Sequence, residues 1–241
     1  MIYNRFAQWF EFLNDDCDYI KWSQYFTARL EEFGAGKNGL ELGCGSGAFC
    51  RLLTRAGYRM TGLDLSRAML QVALEKAQNE GLNILYIEGD AATFRAPEKY
   101  DFILAPNDCY NYIPKEKLPA AFRHAAAALK KGGIFWVDVS SEYKYRKIIA
   151  NNMFADDRDE VTYLSFNRLE EDRVITDLTL FIREEDGRFS RADERHVQYI
   201  HTEEELISAL EGAGFCSLRA EGHLGQRKEG SQRLNLLCKK K

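Results

Sequence analysis

The sequence predicts an α/β fold: a mostly parallel seven-stranded sheet with helices on both faces, plus an antiparallel β-meander insertion. Three observations predict it. An apolar run at 40–42 leads into Gly43, Gly45 and Gly47 and then into a helical pattern. Short apolar runs alternate with helix-period segments from 59 to 139, as parallel strands with crossover helices require. Between about 155 and 200 the pattern turns to period-two alternation divided by polar turns, which reads as a meander.

The elements follow in order. Residues 1–33 carry aromatics at helical intervals (Phe6, Trp9 and Phe10, then Tyr19, Trp22 and Phe26), so two amphipathic helices fit. The polar break at 14–18 ends in Asp18, a suitable cap for the second helix. Most of these aromatics read as core. Tyr19 and Trp22 stand near the first strand, where either can also face a ligand.

The glycine loop at 43–47 joins the first strand to a helix over 48–56. Glycine there lets the backbone turn left-handed and lets a ligand approach the main chain. The helix N-terminus adds unpaired N–H groups. Residues 59–64 read as the second strand, ending in Asp64, 19 residues after Gly45. In nucleoside sites an acid at that distance accepts hydrogen bonds from ribose hydroxyls. Asp64 also suits a helix cap, but Ser66 fits that place before the helix 67–80.

A third strand over 84–88 precedes Gly89-Asp90-Ala91. An acid there sits beside the second strand. The fourth strand, Tyr100–Ala105, is followed by a polar and aromatic stretch that holds Pro106, Asn107, Asp108, Tyr110 and Tyr112. Ligands bind at such carboxyl ends in open α/β sheets. A helix over 115–129, a turn at 130–133 and a strand over 134–139 follow. The meander strands fall at 161–168, 174–183 and 189–200. Thr202 and Glu205 have capping-box spacing for a helix that ends at Gly212 or Gly214. Strands at 215–221 and 234–239 close the chain, which reads as a single domain over 1–241.

Composition narrows the function classes. With 33 basic and 37 acidic residues the net charge is −4, which does not favour wrapping a nucleic-acid backbone. No run of about 18 apolar residues predicts a membrane span. The first residues, 1–6, lack the apolar core of a signal peptide. Six cysteines without C-x-x-C pairing suit reduced thiols in a cytoplasmic protein. No metal is expected.

The ordered motifs Glu41-Leu42-Gly43-Cys44-Gly45-Ser46-Gly47, Gly62-Leu63-Asp64-Leu65-Ser66, Gly89-Asp90-Ala91 and Leu129-Lys130-Lys131-Gly132-Gly133 resemble those of class I methyltransferases that use S-adenosylmethionine. The layout resembles a bacterial small-molecule subgroup that includes sugar N-methyltransferases. The resemblance implies a Rossmann-like fold and methyl transfer to an unidentified small acceptor.

It also implies roles for residues. Gly43, Cys44 and Gly45 would lie along the methionine part of the cofactor, and Glu41 would hold its amino group. Asp64 would take the ribose hydroxyls and Leu65 would pack on adenine. Asp90 and Ala91 would meet the adenine amino group and ring nitrogen. Pro106 and Asn107 would run beside the sulfonium, and Tyr19 and Trp22 would reach the carboxylate. One departure is that relatives often carry Tyr-Asp in the first helix, where this chain has Phe10-Glu11.

No catalytic base stands out. Tyr112, Asp108 and Tyr110 are candidates after the fourth strand, and His196 and His201 reach the site if the meander folds over it. The meander is expected to set acceptor specificity or to make a homodimer contact. Two other functions fit parts of the pattern. Gly43-x-Gly45-x-x-Ala48 also suits an NAD-dependent oxidoreductase, although Glu41 and the two final strands argue against it. A non-catalytic S-adenosylmethionine-binding protein would keep the same fold.

Overall fold

Apolar runs flanked by glycines and acids form the strands, and amphipathic segments between them form the helices, in the computed structural model, which describes residues 5–241. The first four residues of the N-terminal stretch discussed above lie outside it. In chain order come α1 (Phe10–Leu13), α2 (Tyr19–Glu32), β1 (Asn38–Leu42), α3 (Ala48–Arg55), β2 (Arg59–Asp64), α4 (Arg67–Asn79) and β3 (Leu85–Glu88). Then follow β4 (Tyr100–Ala105), α5 (Leu118–Ala128) and β5 (Leu129–Ser140). The insertion holds β6 (Met153–Asp157), β7 (Val161–Leu169), β8 (Arg173–Arg183) and β9 (Phe189–Tyr199). The chain closes with α6 (Glu203–Gly212), β10 (Phe215–Glu221) and β11 (Arg233–Lys240).

The large sheet runs β3-β2-β1-β4-β5-β11-β10, with β11 antiparallel to both neighbours. Period two divides its core between the faces. Ile103 and Ala105 of β4, with Phe135 and Val137 of β5, pack against α5 and α6. Phe102, Leu104 and Trp136 point the other way, onto Trp22, Phe26 and Leu30 of α2 and Phe49 of α3. Caps agree with the sequence. Asp18 accepts from the Lys21 N–H, Ser66 from Met69, and Thr202 and Glu205 form a capping box.

The structure corrects four expectations. The first N-terminal helix is only a tight turn at Phe6–Gln8 and the single turn α1. Its aromatics pack on the insertion, with Phe6 against Val161, Leu178 and Leu180, rather than on the large sheet. The expected turn at 130–133 lies within β5, as a bulge between the pairs Tyr100↔Leu129 and Phe102↔Ile134. The insertion has a fourth strand, β6, and a wide helical turn at Lys144–Ile149 precedes it. Among the described residues no helix is long and apolar enough to cross a membrane, and all six cysteines are free thiols.

Candidate functional site

β1 stops because Gly43 turns left-handed at φ 68°, followed by Gly45 at 52° and Gly47 at 77°. The turn is tied back to β2, whose Leu63 carbonyl accepts from the Gly43 and Cys44 N–H groups at 2.7 and 3.0 Å. A side chain at Gly43 would strike Cys109, its Cβ falling 2.6 Å from the sulfur. At Gly45 the same atom would meet nothing within 4 Å. The space over Gly45 is therefore open to a ligand.

Asp64 braces this loop. One carboxylate oxygen accepts the Gly45 N–H and the other the Ser66 N–H, each at 2.8 Å. Burial raises its pKa against those hydrogen bonds. A second brace comes from the Phe10-Glu11 departure. Glu11 accepts from the Ser46 hydroxyl at 2.5 Å and pairs with Arg51 at 3.3 Å and Lys76 at 2.7 Å. Burial opposes its charge, but the Lys76 and Ser46 hydrogen bonds and the two cations hold its pKa below the usual value.

A cavity of about 560 Å³ lies over the loop. Of the residues expected at the cofactor, Tyr19, Glu41, Gly43, Cys44, Gly45, Asp64, Leu65, Asp90, Ala91 and Asn107 line it. Trp22 and Pro106 do not. Pro106 is buried behind the wall. Trp22 is 5% exposed, stacks on Phe49 at 5.6 Å, and lies under the Arg233 guanidinium. Leu65, by contrast, is 67% exposed at the cavity's mouth.

Glu41 is the group in the lining that most needs a partner. It is 1% exposed, and its Oε2 has no hydrogen-bond partner. Burial pushes its pKa up to about 8, against a hydrogen bond from Cys50. A ligand ammonium is the chemistry this carboxylate lacks, so the donor set suits an amino-acid tail over an open Gly45.

The shift has a consequence for stability. The native state holds a proton on Glu41 that the unfolded chain releases near pH 4.5, so stability falls as pH rises from there to about 8. Urea unfolding at pH 5 and pH 8 is expected to show this decline, and a smaller decline in Glu41→Gln. Equal slopes in the two proteins would contradict it.

A second cavity of about 240 Å³ adjoins the first, and Phe10, Asn107 and Tyr112 line both. Phe6, Asn14, Asp108 and Ile149 add to its lining, and the rest of the wall is one face of the meander. Phe154, Ser165, Leu178 and Glu194 are register partners across the four strands, as are Asn167, Thr176 and His196 across three. By period two they share a face, and every meander residue in this lining belongs to it. Arg195, Val197 and Tyr199, on the opposite face of β9, reach the first cavity instead.

The catalytic candidates separate on this basis. Tyr112, Asp108 and His196 line the second cavity. Tyr110 is fully buried in the core and stacks on Phe122. His201 is also buried, 3.1 Å from the Tyr110 carbonyl, and burial lowers its pKa.

Asn107 and Asp108 both take left-handed backbone, at φ 55° and 70°. Such strain persists only where surroundings impose it. Here the Asn107 N–H donates to Asp138 at 3.0 Å, while Asp108 pairs with Arg233 at 2.6 Å and accepts from Ser140 at 2.9 Å. Arg233 also grips Asp138, its Nε lying 2.9 Å from Oδ1. Sequence reasoning missed Arg233, Asp138, Glu194 and the contacts of Glu11.

A nucleoside-type cavity over the glycine loop of a β3-β2-β1-β4-β5-β11-β10 sheet, with β11 reversed, defines an α/β enzyme of the class I methyltransferase type. The chain belongs to the S-adenosylmethionine-dependent methyltransferases, and S-adenosylmethionine is its methyl donor. A family model described as a methyltransferase domain matches residues 40–133. The inferred methyltransferase YqeM of Bacillus subtilis (strain 168) is 30% identical over 219 residues, covering 89% of this chain and 87% of its own. The crystal structure of an S-adenosylmethionine-dependent methyltransferase from Clostridium acetobutylicum ATCC 824 is similar over 100% of this chain and 99% of its own, at 29% identity and TM-score 0.90. At 19% identity, the amino pentose methyltransferase CalS10 from Micromonospora echinaspora shares the fold, with TM-score 0.74 over 93% and 92% of the two chains. These findings replace the nicotinamide and non-catalytic alternatives.

Proposed function

We propose that the acceptor is a small, uncharged or cationic molecule bound in the second cavity, against the meander, with the donor in the first. The shared lining of the two cavities supports this reading, because a donor in one and an acceptor in the other would meet at Phe10, Asn107 and Tyr112. The second lining includes Asn14, Asn167, Thr176 and Gln198 beside Phe6, Phe154 and Leu178, which suits a ring with polar substituents. Among its described residues there is no Lys or Arg to hold a carboxylate or phosphate.

S-adenosylmethionine supplies a methyl group already activated on sulfur. In the proposed site Glu41 takes the ammonium of the amino-acid tail and Asp64 the ribose. Leu65 covers adenine, while Asp90 and Ala91 meet its edge. What remains for the chain is to align the acceptor, which contributes about 7–11 kcal/mol toward the barrier in well-oriented cases.

Thr176→Trp tests the reading by filling the second cavity alone. The acceptor source is a deproteinised metabolite extract of Bacillus subtilis cells, with tritiated methyl donor. S-adenosylhomocysteine should bind the variant within about twofold of the native protein, while label transfer drops by about tenfold or more. A variant that transfers label at the native rate would refute it.

A further inference from the structure

The geometry points to a proton relay of Tyr112, His196 and Glu194 that takes the proton released by the acceptor. The inference rests on the acceptor site proposed above, and it narrows the acceptor to one that carries hydrogen on its attacking atom, an amine or a hydroxyl compound.

Three side chains lie in succession within contact distance. The Tyr112 hydroxyl lies 3.1 Å from His196 Nδ1, with the phenol ring tilted 66° to the imidazole. His196 Nε2 lies 3.4 Å from a Glu194 carboxylate oxygen, within ion-pair reach but short of hydrogen-bond geometry, and both side chains are buried, at 7% and 6% exposure. His196 and Glu194 stand two apart on β9 and so share the face that walls the second cavity. Tyr112 comes from the far side, from the stretch after β4, and is common to both cavities.

The order is hydroxyl, imidazole, carboxylate, in which the acid orients the ring and stabilises its charged form. Asp108 is a poorer proton acceptor. Burial opposes its charge, yet Arg233 and Lys144 outweigh this and hold its pKa below the usual value.

In the step, a lone pair on the acceptor forms the bond to the methyl carbon, and the electron pair of the broken carbon–sulfur bond stays on sulfur. The acceptor's proton passes to the Tyr112 oxygen as the phenol proton passes to His196 Nδ1. The positive charge lost from sulfur reappears on an imidazolium beside Glu194. Tyr112 is the catalytic residue, while His196 and Glu194 act through it. This requires neutral His196 to carry its proton on Nε2, toward Glu194, and to offer the bare Nδ1 to Tyr112.

Nitrogen NMR of ¹⁵N-histidine-labelled protein with S-adenosylhomocysteine bound reads that tautomer directly. The chain has only 4 histidines, and His196→Gln assigns the signal. The Nε2–H form is expected in the native protein, with its share reduced in Glu194→Gln. Protein that binds S-adenosylhomocysteine but holds the Nδ1–H form would overturn the relay and leave the acceptor site intact. A fully active Thr176→Trp overturns the acceptor site whatever the tautomer.

Rates in the extract assay add a second arm. Tyr112→Phe should slow label transfer by about 10²-fold or more and flatten its pH dependence, with donor affinity unchanged. Glu194→Asp should recover part of what Glu194→Gln loses. Native rates at every pH in Tyr112→Phe would overturn the relay.

Discussion

Replacing Asp64 with alanine is expected to weaken S-adenosylhomocysteine binding by about 10²-fold or more. In the proposed site its carboxylate takes two ribose hydroxyls, and hydrogen bonds to a charged group are worth about 1.5–3 kcal/mol each. At about 1.4 kcal/mol per decade, two such bonds exceed 10²-fold. The same oxygens hold the Gly45 and Ser66 N–H groups, so the loop loses its brace as well. Calorimetry gives the affinity, and circular dichroism with thermal melting shows whether the fold survives. A folded Asp64→Ala protein that binds with native affinity would contradict the ribose role.

Arg233→Met is expected to produce the largest loss of stability. Arg233 is the cation between Asp138 and Asp108, and the three side chains are 11%, 0% and 16% exposed. Removing one partner of a buried charge pair costs about 3–5 kcal/mol. For a chain of this length that lowers Tm by roughly 6–20 °C. The Arg233 and Lys144 charges lower the folded-state pKa of Asp108 despite burial, so that contribution is present above the ordinary aspartate range and fades as pH falls through it. The deficit of the variant should therefore narrow toward low pH, and adding Asp108→Asn should recover part of it. A Tm within ~2 °C of native at pH 7 would contradict this account.

Much of the sheet was legible because buried parallel strands read as apolar runs between glycines and acids. Asp64 and Ser66 illustrate it: the acid closes β2 and faces the loop, and the hydroxyl behind it caps α4. The capping box at Thr202 was visible for the same reason, since both partners lie within one turn. β6 was not, because Met153–Asp157 is a short, exposed edge strand with two acids and no apolar alternation.

Most of the cavity-lining residues followed from the motif resemblance, with Asp64 also marked by its spacing from Gly45, whereas long-range partners left no local trace. Arg233 meets Asp108 across 125 positions, and nothing near either residue marks the pair. Trp22 fits a ligand-facing aromatic by position, yet the Arg233 guanidinium and Phe49 hold it in the wall. Glu194 sits among Arg191, Asp193 and Arg195, which reads as a solvated face. Alternation along β9 separates it: residues 194, 196 and 198 face inward toward the second cavity, and 191, 193 and 195 do not.

A crystal structure with S-adenosylhomocysteine bound tests the two-cavity arrangement most directly. The arrangement predicts ribose oxygens on the Asp64 carboxylate, the amino group on Glu41, and the sulfur turned past Asn107 toward Tyr112 and the meander-walled cavity. A sulfur pointing away from that opening, with Tyr112 and Asn107 out of its reach, would contradict it.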